Sequence, residues 1–173
     1  MNYRQVQAAV GQSLLMNIYH GLFSPHNMTV AQALLTRTDI AGRQGYLHIR
    51  NSLLNLLDIG VLPIINENDV VAVEEIGEEA FGDNDTLSAL VSNLVDADLL
   101  VMLTDTDGLY TADPNFDKDA RLIKTVDQID QTIMQLAASE KVDALSRGGM
   151  TSKLEAARLA TSWGITVIIA KGT

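Results

Sequence analysis

The strongest constraint on the fold is an arrangement that recurs three times along the chain: a helix-period segment, a short connector, and five residues with almost no polar side chain. In the first copy a helical pattern covers about residues 45–59, Gly60 follows, and the run is Val61-Leu62-Pro63-Ile64-Ile65. In the second, Leu87, Leu90, Val91, Leu94 and Val95 form an i, i+3, i+4, i+7, i+8 stripe that leads into Leu99-Leu100-Val101-Met102-Leu103. The third is a helix over about 151–163, then Gly164, then Ile165-Thr166-Val167-Ile168-Ile169. Glycine just past a helix adopts the left-handed conformation that ends it, and the runs have a strand's length. A strand with one wet face alternates in polarity, whereas one that is apolar at successive positions has both faces covered, as in parallel sheets packed between helices. The expected fold class is therefore α/β, a three-layer αβα sandwich with a mainly parallel central sheet. Upstream, Val6, Ala9, Val10, Leu14 and Ile18 share one helical face, Ser24-Pro25 breaks it, and residues 30–35 read as a strand.

At 173 residues, 47% of them hydrophobic, the chain has the size of one globular domain, expected to span 1–173. Twelve Lys and Arg against twenty-two Asp and Glu give a net charge of −10, which repels phosphate backbones and anionic lipid and argues against nucleic-acid or membrane partners. There is no cysteine, so disulfides, thiolate nucleophiles and Cys-based zinc sites are excluded. No apolar run approaches the roughly 18 residues of a membrane span, and residues 1–5 lead directly into an amphipathic pattern; the expected location is the cytoplasm. His20, His26 and His48 lack metal-ligand spacing, and Met16, Met28, Met102 and Met134 read as core filler.

Ligands of parallel sheets bind at the carboxyl ends of strands. After the run at 61–65 comes Asn66-Glu67-Asn68-Asp69, and Gly82-Asp83-Asn84-Asp85 opens a helix. Singly, each reads as an Asx turn or an N-cap; together, at strand ends, they read as a polar site. Between them an acidic stretch, Glu74-Glu75 and Glu78-Glu79, reads as a solvated loop or as a flap beside a ligand. Residues 104–114 form a turn-rich loop after the second strand run. Arg147-Gly148-Gly149-Met150-Thr151-Ser152-Lys153 opens the last helix with a close-approach glycine pair, hydroxyls and an ammonium, the chemistry of a phosphate cradle without Walker A spacing.

Jointly these segments resemble the amino acid kinase family, in particular its members that phosphorylate the side chain of glutamate. The resemblance covers nearly the whole chain. It runs through Ala8-Ala9-Val10-Gly11-Gln12, Leu34-Leu35-Thr36-Arg37, Pro63 to Asp69, Gly82 to Asp85, Thr104-Asp105 through Pro114, and Gly148-Gly149-Met150 to Lys153. It implies transfer of the γ-phosphoryl of ATP, with Mg2+, onto the side-chain carboxylate of L-glutamate, the first step of proline biosynthesis. It assigns Asp69 and Asn84 to glutamate and Thr104 and Asp105 to the nucleotide. Arg147, Gly148, Gly149, Met150, Thr151, Ser152 and Lys153 would surround the phosphates, with Lys153 neutralising charge and Asp85 orienting lysines at the transfer site. No metal ligand is assigned. A homo-oligomer and feedback inhibition by proline are implied as well. Arg147 replaces a small residue of the family, and Leu47-His48-Ile49-Arg50-Asn51 departs from its usual Leu-Asn-Ala-Arg-Asn.

The family's first lysine-bearing strand and glycine-rich turns have no counterpart before Met1, nor its last nucleotide-side elements after Thr173. The expectation is a domain incomplete at both ends and inactive alone. The kinase part of a bifunctional pyrroline-carboxylate synthase fits the same residues. So do kinases of acetylglutamate, carbamate, aspartate or a nucleotide, although the Asn66 to Asp69 and Gly82 to Asp85 pair favours glutamate. A non-catalytic module is the reading from a different class.

Overall fold

A computed structural model describes residues 3–71, 84–112, 114, 116–138 and 149–172. They fall into two compact units, Met1–Gly82 and Asp83–Thr173. The architecture is mixed α/β with parallel strand pairs.

The first unit holds α1 (Tyr3–Phe23), β1 (Thr29–Leu35), α2 (Arg37–Ala41), α3 (Arg43–Asp58) and β2 (Val61–Glu67). β1 and β2 pair in parallel from Thr29 opposite Val61 to Leu35 opposite Glu67, with α1 against β1 and α3 against β2. Thr36 caps α2 in a reciprocal box: its hydroxyl accepts from the Asp39 backbone N–H at 3.2 Å, and its own N–H donates to the Asp39 carboxylate at 2.8 Å. That capping is the local task of the Leu34-Leu35-Thr36-Arg37 segment. Leu53 of α3 is fully buried. The apolar face expected on α1 is present but uncovered: Val6, Val10, Leu14 and Ile18 are all more than half exposed.

The second unit holds α4 (Asn84–Leu94), β3 (Leu99–Thr104), α5 (Gln131–Ala138), α6 (Met150–Ser162) and β4 (Thr166–Lys171). β3 and β4 pair in parallel from Leu99 opposite Thr166 to Thr104 opposite Lys171. α4 and α6 pack on each other, and Ala89, Ala156 and Ala160 make their meeting surface small enough to close over Leu100, Met102 and Ile165. A second cluster joins Leu109, Ala137, Met150 and Leu154. Met102 and Met134 thus pack as core filler, whereas Met28 is 42% exposed.

The three helix-to-strand connections of the recurring pattern each contain a left-handed residue. Gly60 (φ 75°) and Gly164 (φ 84°) are left-handed, and so is Asp96 (φ 51°) after α4. After α6 the Ile165 N–H donates to Ala160 O at 3.2 Å and the Gly164 N–H to Thr161 O at 3.0 Å, which satisfies carbonyls the helix leaves open. The strands differ from expectation in one respect. β3 alternates, with Leu100 and Met102 buried under the helices while Leu99, Val101 and Leu103 on the other face are 48%, 47% and 65% exposed. The helices of this unit cover one face of its two-stranded sheet.

Candidate active site

The start of α6 meets the start of α4. Gly149, extended at φ −76° and ψ −175°, is the N-cap of α6, so Met150, Thr151 and Ser152 are its first three residues and their amides have no partner inside the helix. Lys153 follows on the same turn. Its ammonium donates to both carboxylate oxygens of Asp85, at 3.1 Å and 3.2 Å, and Asp85 lies in the first turn of α4. The two side chains are only 12% and 16% exposed, so water screens the pair little. Ser152 adds a second tie: its hydroxyl lies 2.8 Å from the same Asp85 oxygen that takes the shorter lysine contact, and 2.9 Å from Gly149 O. Residues 67 and 68 positions apart in sequence therefore meet in one ion-paired cluster.

The expected cradle residues divide. Thr151, Ser152 and Lys153 stand at the helix mouth, half-buried, whereas the Met150 side chain is turned into the core at 5% exposure. Any contact of Met150 with a ligand would run through its backbone. Arg147 and Gly148 lie outside the described residues, as do Gly82, Asp83 and the acidic stretch 74–79. Asn84 is exposed at the first position of α4.

Thr104 ends β3, where its O–H donates to the Asp105 carboxylate at 3.1 Å. The following loop turns back on itself through Gly108, whose φ of 145° suits glycine, and forms an antiparallel bridge between Tyr110 and Leu122. The Tyr110 O–H donates to Asp107 at 3.1 Å; that hydrogen bond, with burial and the carboxylate charge behind it, raises the phenol above its usual range. An open groove of about 930 Å³ runs between residues 122–129, α6 and β4, and none of the expected site residues lines it.

In the first unit the end of β2 carries another polar group. The Asn66 amide donates to Gln12 Oε1 of α1 at 3.2 Å, and Asn66 Oδ1 accepts the Glu67 N–H at 3.0 Å. Gln12 Nε2 is buried with no hydrogen-bond partner. Asp69 is exposed in the turn that follows. Gln12 has no place among the expected site residues, although it ends the Ala8-Ala9-Val10-Gly11-Gln12 segment of the family resemblance.

Comparison with known proteins identifies relatives of this chain. A glutamate 5-kinase of Dehalococcoides mccartyi is 59% identical over 170 residues, which are 98% of this chain and 45% of that protein. A glutamate 5-kinase of Moorella thermoacetica is 55% identical over 169 residues, 98% of this chain and 44% of that protein. One of Alkaliphilus metalliredigens is 45% identical over 172 residues, covering 99% of this chain and 64% of that protein. The chain thus spans about half the length of most of these relatives. The model of the amino acid kinase family matches residues 3–171, and to that family the chain belongs.

Proposed function

We propose that the chain carries the phosphate-handling part of a glutamate 5-kinase, which moves the γ-phosphoryl of ATP onto the side-chain carboxylate of L-glutamate. A carboxylate oxygen forms a bond to the γ-phosphorus, the bond from that phosphorus to the β,γ-bridging oxygen breaks, and ADP leaves with the electron pair. Both reactants are anions, so the protein's task is to position them and neutralise charge. The observation that carries this reading is the Asp85–Lys153 ion pair at the mouth of α6.

The donors there suit a polyphosphate: helix-start amides, the Thr151 hydroxyl and the Lys153 ammonium. Magnesium bound with the nucleotide would supply further neutralisation of phosphate charge beside Lys153. Among the described residues no group of three or more His, Asp or Glu is placed to hold a metal. The family resemblance assigns Thr104 and Asp105 to the nucleotide and Asp69 and Asn84 to glutamate, and that assignment is adopted in this reading. The two parallel strand pairs are read as parts of one three-layer sandwich, a single kinase-like domain that forms a homo-oligomer, acts in the cytoplasm and responds to proline. Among the described residues no helix is long and apolar enough to cross a membrane.

The test is a coupled ADP-release assay with glutamate, ATP and Mg2+. It is run on this chain and on the Dehalococcoides relative with this chain exchanged for its matching 170 residues. Glutamate-dependent turnover by the exchanged protein, lost on Asp69→Ala through a raised KM for glutamate, is the expected result. No turnover, or faster turnover with aspartate or acetylglutamate, overturns the reading.

A further inference from the structure

We infer that Ser152 is a positioning residue: its hydroxyl holds the Asp85 carboxylate in place, so that Lys153 can be shared with an incoming phosphoryl group without Asp85 following it. The inference deepens the proposed function and rests on it for its kinetic consequence.

The argument begins with one proton. A serine hydroxyl has a single O–H, and two oxygens stand within reach of it, Asp85 Oδ2 at 2.8 Å and Gly149 O at 2.9 Å. An ionised carboxylate only accepts, so the short contact to Asp85 needs the serine proton, and a bond to a charged acceptor is the stronger of the two. Ser152 therefore has no proton left for a phosphate oxygen while Asp85 is ionised. The residue expected to cradle phosphate is committed to its neighbour instead.

Geometry adds the second step. Asp85 Oδ2 accepts from Ser152 at 2.8 Å and from Lys153 at 3.1 Å, and Oδ1 accepts from Lys153 at 3.2 Å. Both donors are consecutive residues of α6, whereas the acceptor belongs to α4. Their roles differ because their reach differs. Lysine has a long flexible stem and a compact charge that can turn toward another anion, whereas the serine hydroxyl sits one carbon from the backbone of a packed helix. If Lys153 leans toward a phosphate, its hold on Asp85 slackens and the carboxylate would be drawn toward the cation and against the new anion. Ser152 is the tie that does not move with the lysine. Its contribution grows when charge develops on the transferred group, so it belongs to kcat rather than to ground-state binding of ATP.

Two measurements decide it. The first needs no turnover and uses the chain itself with 15N-labelled lysine side chains: the Lys153 ammonium resonance, assigned through its absence in Lys153→Arg. It is expected to shift or broaden in Ser152→Ala and to return in Ser152→Thr, with the thermal transition of each variant recorded as a check on folding. An unchanged resonance in a folded Ser152→Ala overturns the inference whether or not the chain is a kinase. The second is a double-mutant cycle, in whichever form of the protein turns over glutamate in the assay above. Ser152→Ala is expected to lower kcat about 10- to 100-fold, the range for losing a hydrogen bond to a charged group, with KM for ATP changed less than about twofold. Ser152→Thr restores kcat, and in an Asp85→Asn background Ser152→Ala costs less than about threefold. A raised KM for ATP with kcat intact would make Ser152 a phosphate ligand. Equal costs in both backgrounds would make it independent of Asp85, and either result overturns the inference. Absence of turnover in every form defeats the proposed function and leaves the resonance measurement to decide the role of Ser152.

Discussion

The polar cluster beside β2 and the one at the start of α6 are made of opposite materials. The first is neutral: two carboxamides, Gln12 and Asn66, share one hydrogen bond, and the Gln12 amide nitrogen is left buried without a partner. The second is ionic, and both oxygens of its carboxylate accept hydrogen bonds. The difference follows from cost. An unmatched amide N–H out of water costs about 1–3 kcal/mol, an outlay a folded unit can absorb, whereas an unmatched ion costs several times as much. A cluster that contains charge must be complete, and a neutral one need not be.

The largest test of that contrast removes the lysine. Lys153→Met leaves Asp85 about one-sixth exposed without its counter-charge and is expected to destabilise the protein by about 3 kcal/mol in urea unfolding. Asp85→Leu combined with Lys153→Met should recover most of that loss, because a matched apolar pair carries no desolvation debt; a double variant as unstable as the single one would break the comparison. Next in size, Gly108→Ala probes the second unit with no change in charge. It forces a side chain onto φ 145° with its Cβ 3.3 Å from Leu122 Cδ1, at an expected cost of about 1–3 kcal/mol that does not vary with salt. In the first unit Thr36→Ala removes one half of the capping box and should cost about 1 kcal/mol, read as a lowered unfolding midpoint. The smallest effect on stability is predicted for Gln12→Met, which deletes the unmatched donor together with one hydrogen bond. It should change stability by less than about 1 kcal/mol, and a loss beyond about 2 kcal/mol would mean that the amide nitrogen was satisfied after all.

Tyr110 extends the contrast to a half-buried residue. Its neutral phenol is favoured in the folded protein because it donates to Asp107. Whatever it contributes is present below the ordinary phenol range near pH ~10 and is lost as pH rises through the higher folded value. In a tyrosinate absorbance titration Asp107→Asn should bring the last-ionising tyrosine down.

Much of the backbone was legible because it rests on periodicity and glycine. Gly60 and Gly164 mark helix ends wherever they occur, and both are left-handed as expected. Asp96 performs the same turn with a residue type that signals caps and loops equally, so nothing in the sequence distinguished it. α2 and α5 were missed for a related reason. They are short, and the residues that start them, Thr36 with Asp39 and Asp130 with its carboxylate on the Ile133 N–H at 2.9 Å, read as turns until the helix is seen. Exposure was less legible than pattern. The stripe on α1 and the odd-numbered residues of β3 have the composition of core positions, yet they are open to water in the described residues, because an apolar face states what it can bury and not what covers it. At the site, residue chemistry singled out the segments of Lys153 and Asp85 separately, and only likeness to a family joined the two. Their contact spans 68 positions, and no local rule links residues so distant.

α4 and α6 begin beside each other, so the positive poles of two peptide-dipole arrays converge on the ground where Asp85 and Lys153 meet. A cation is poorly placed at such poles, and Asp85 is what reconciles Lys153 to the location. An arriving anion is thus attracted by a field rooted in the main chain as well as in the ammonium. That portion of the attraction does not depend on the side chains at the site, and it weakens as ionic strength rises.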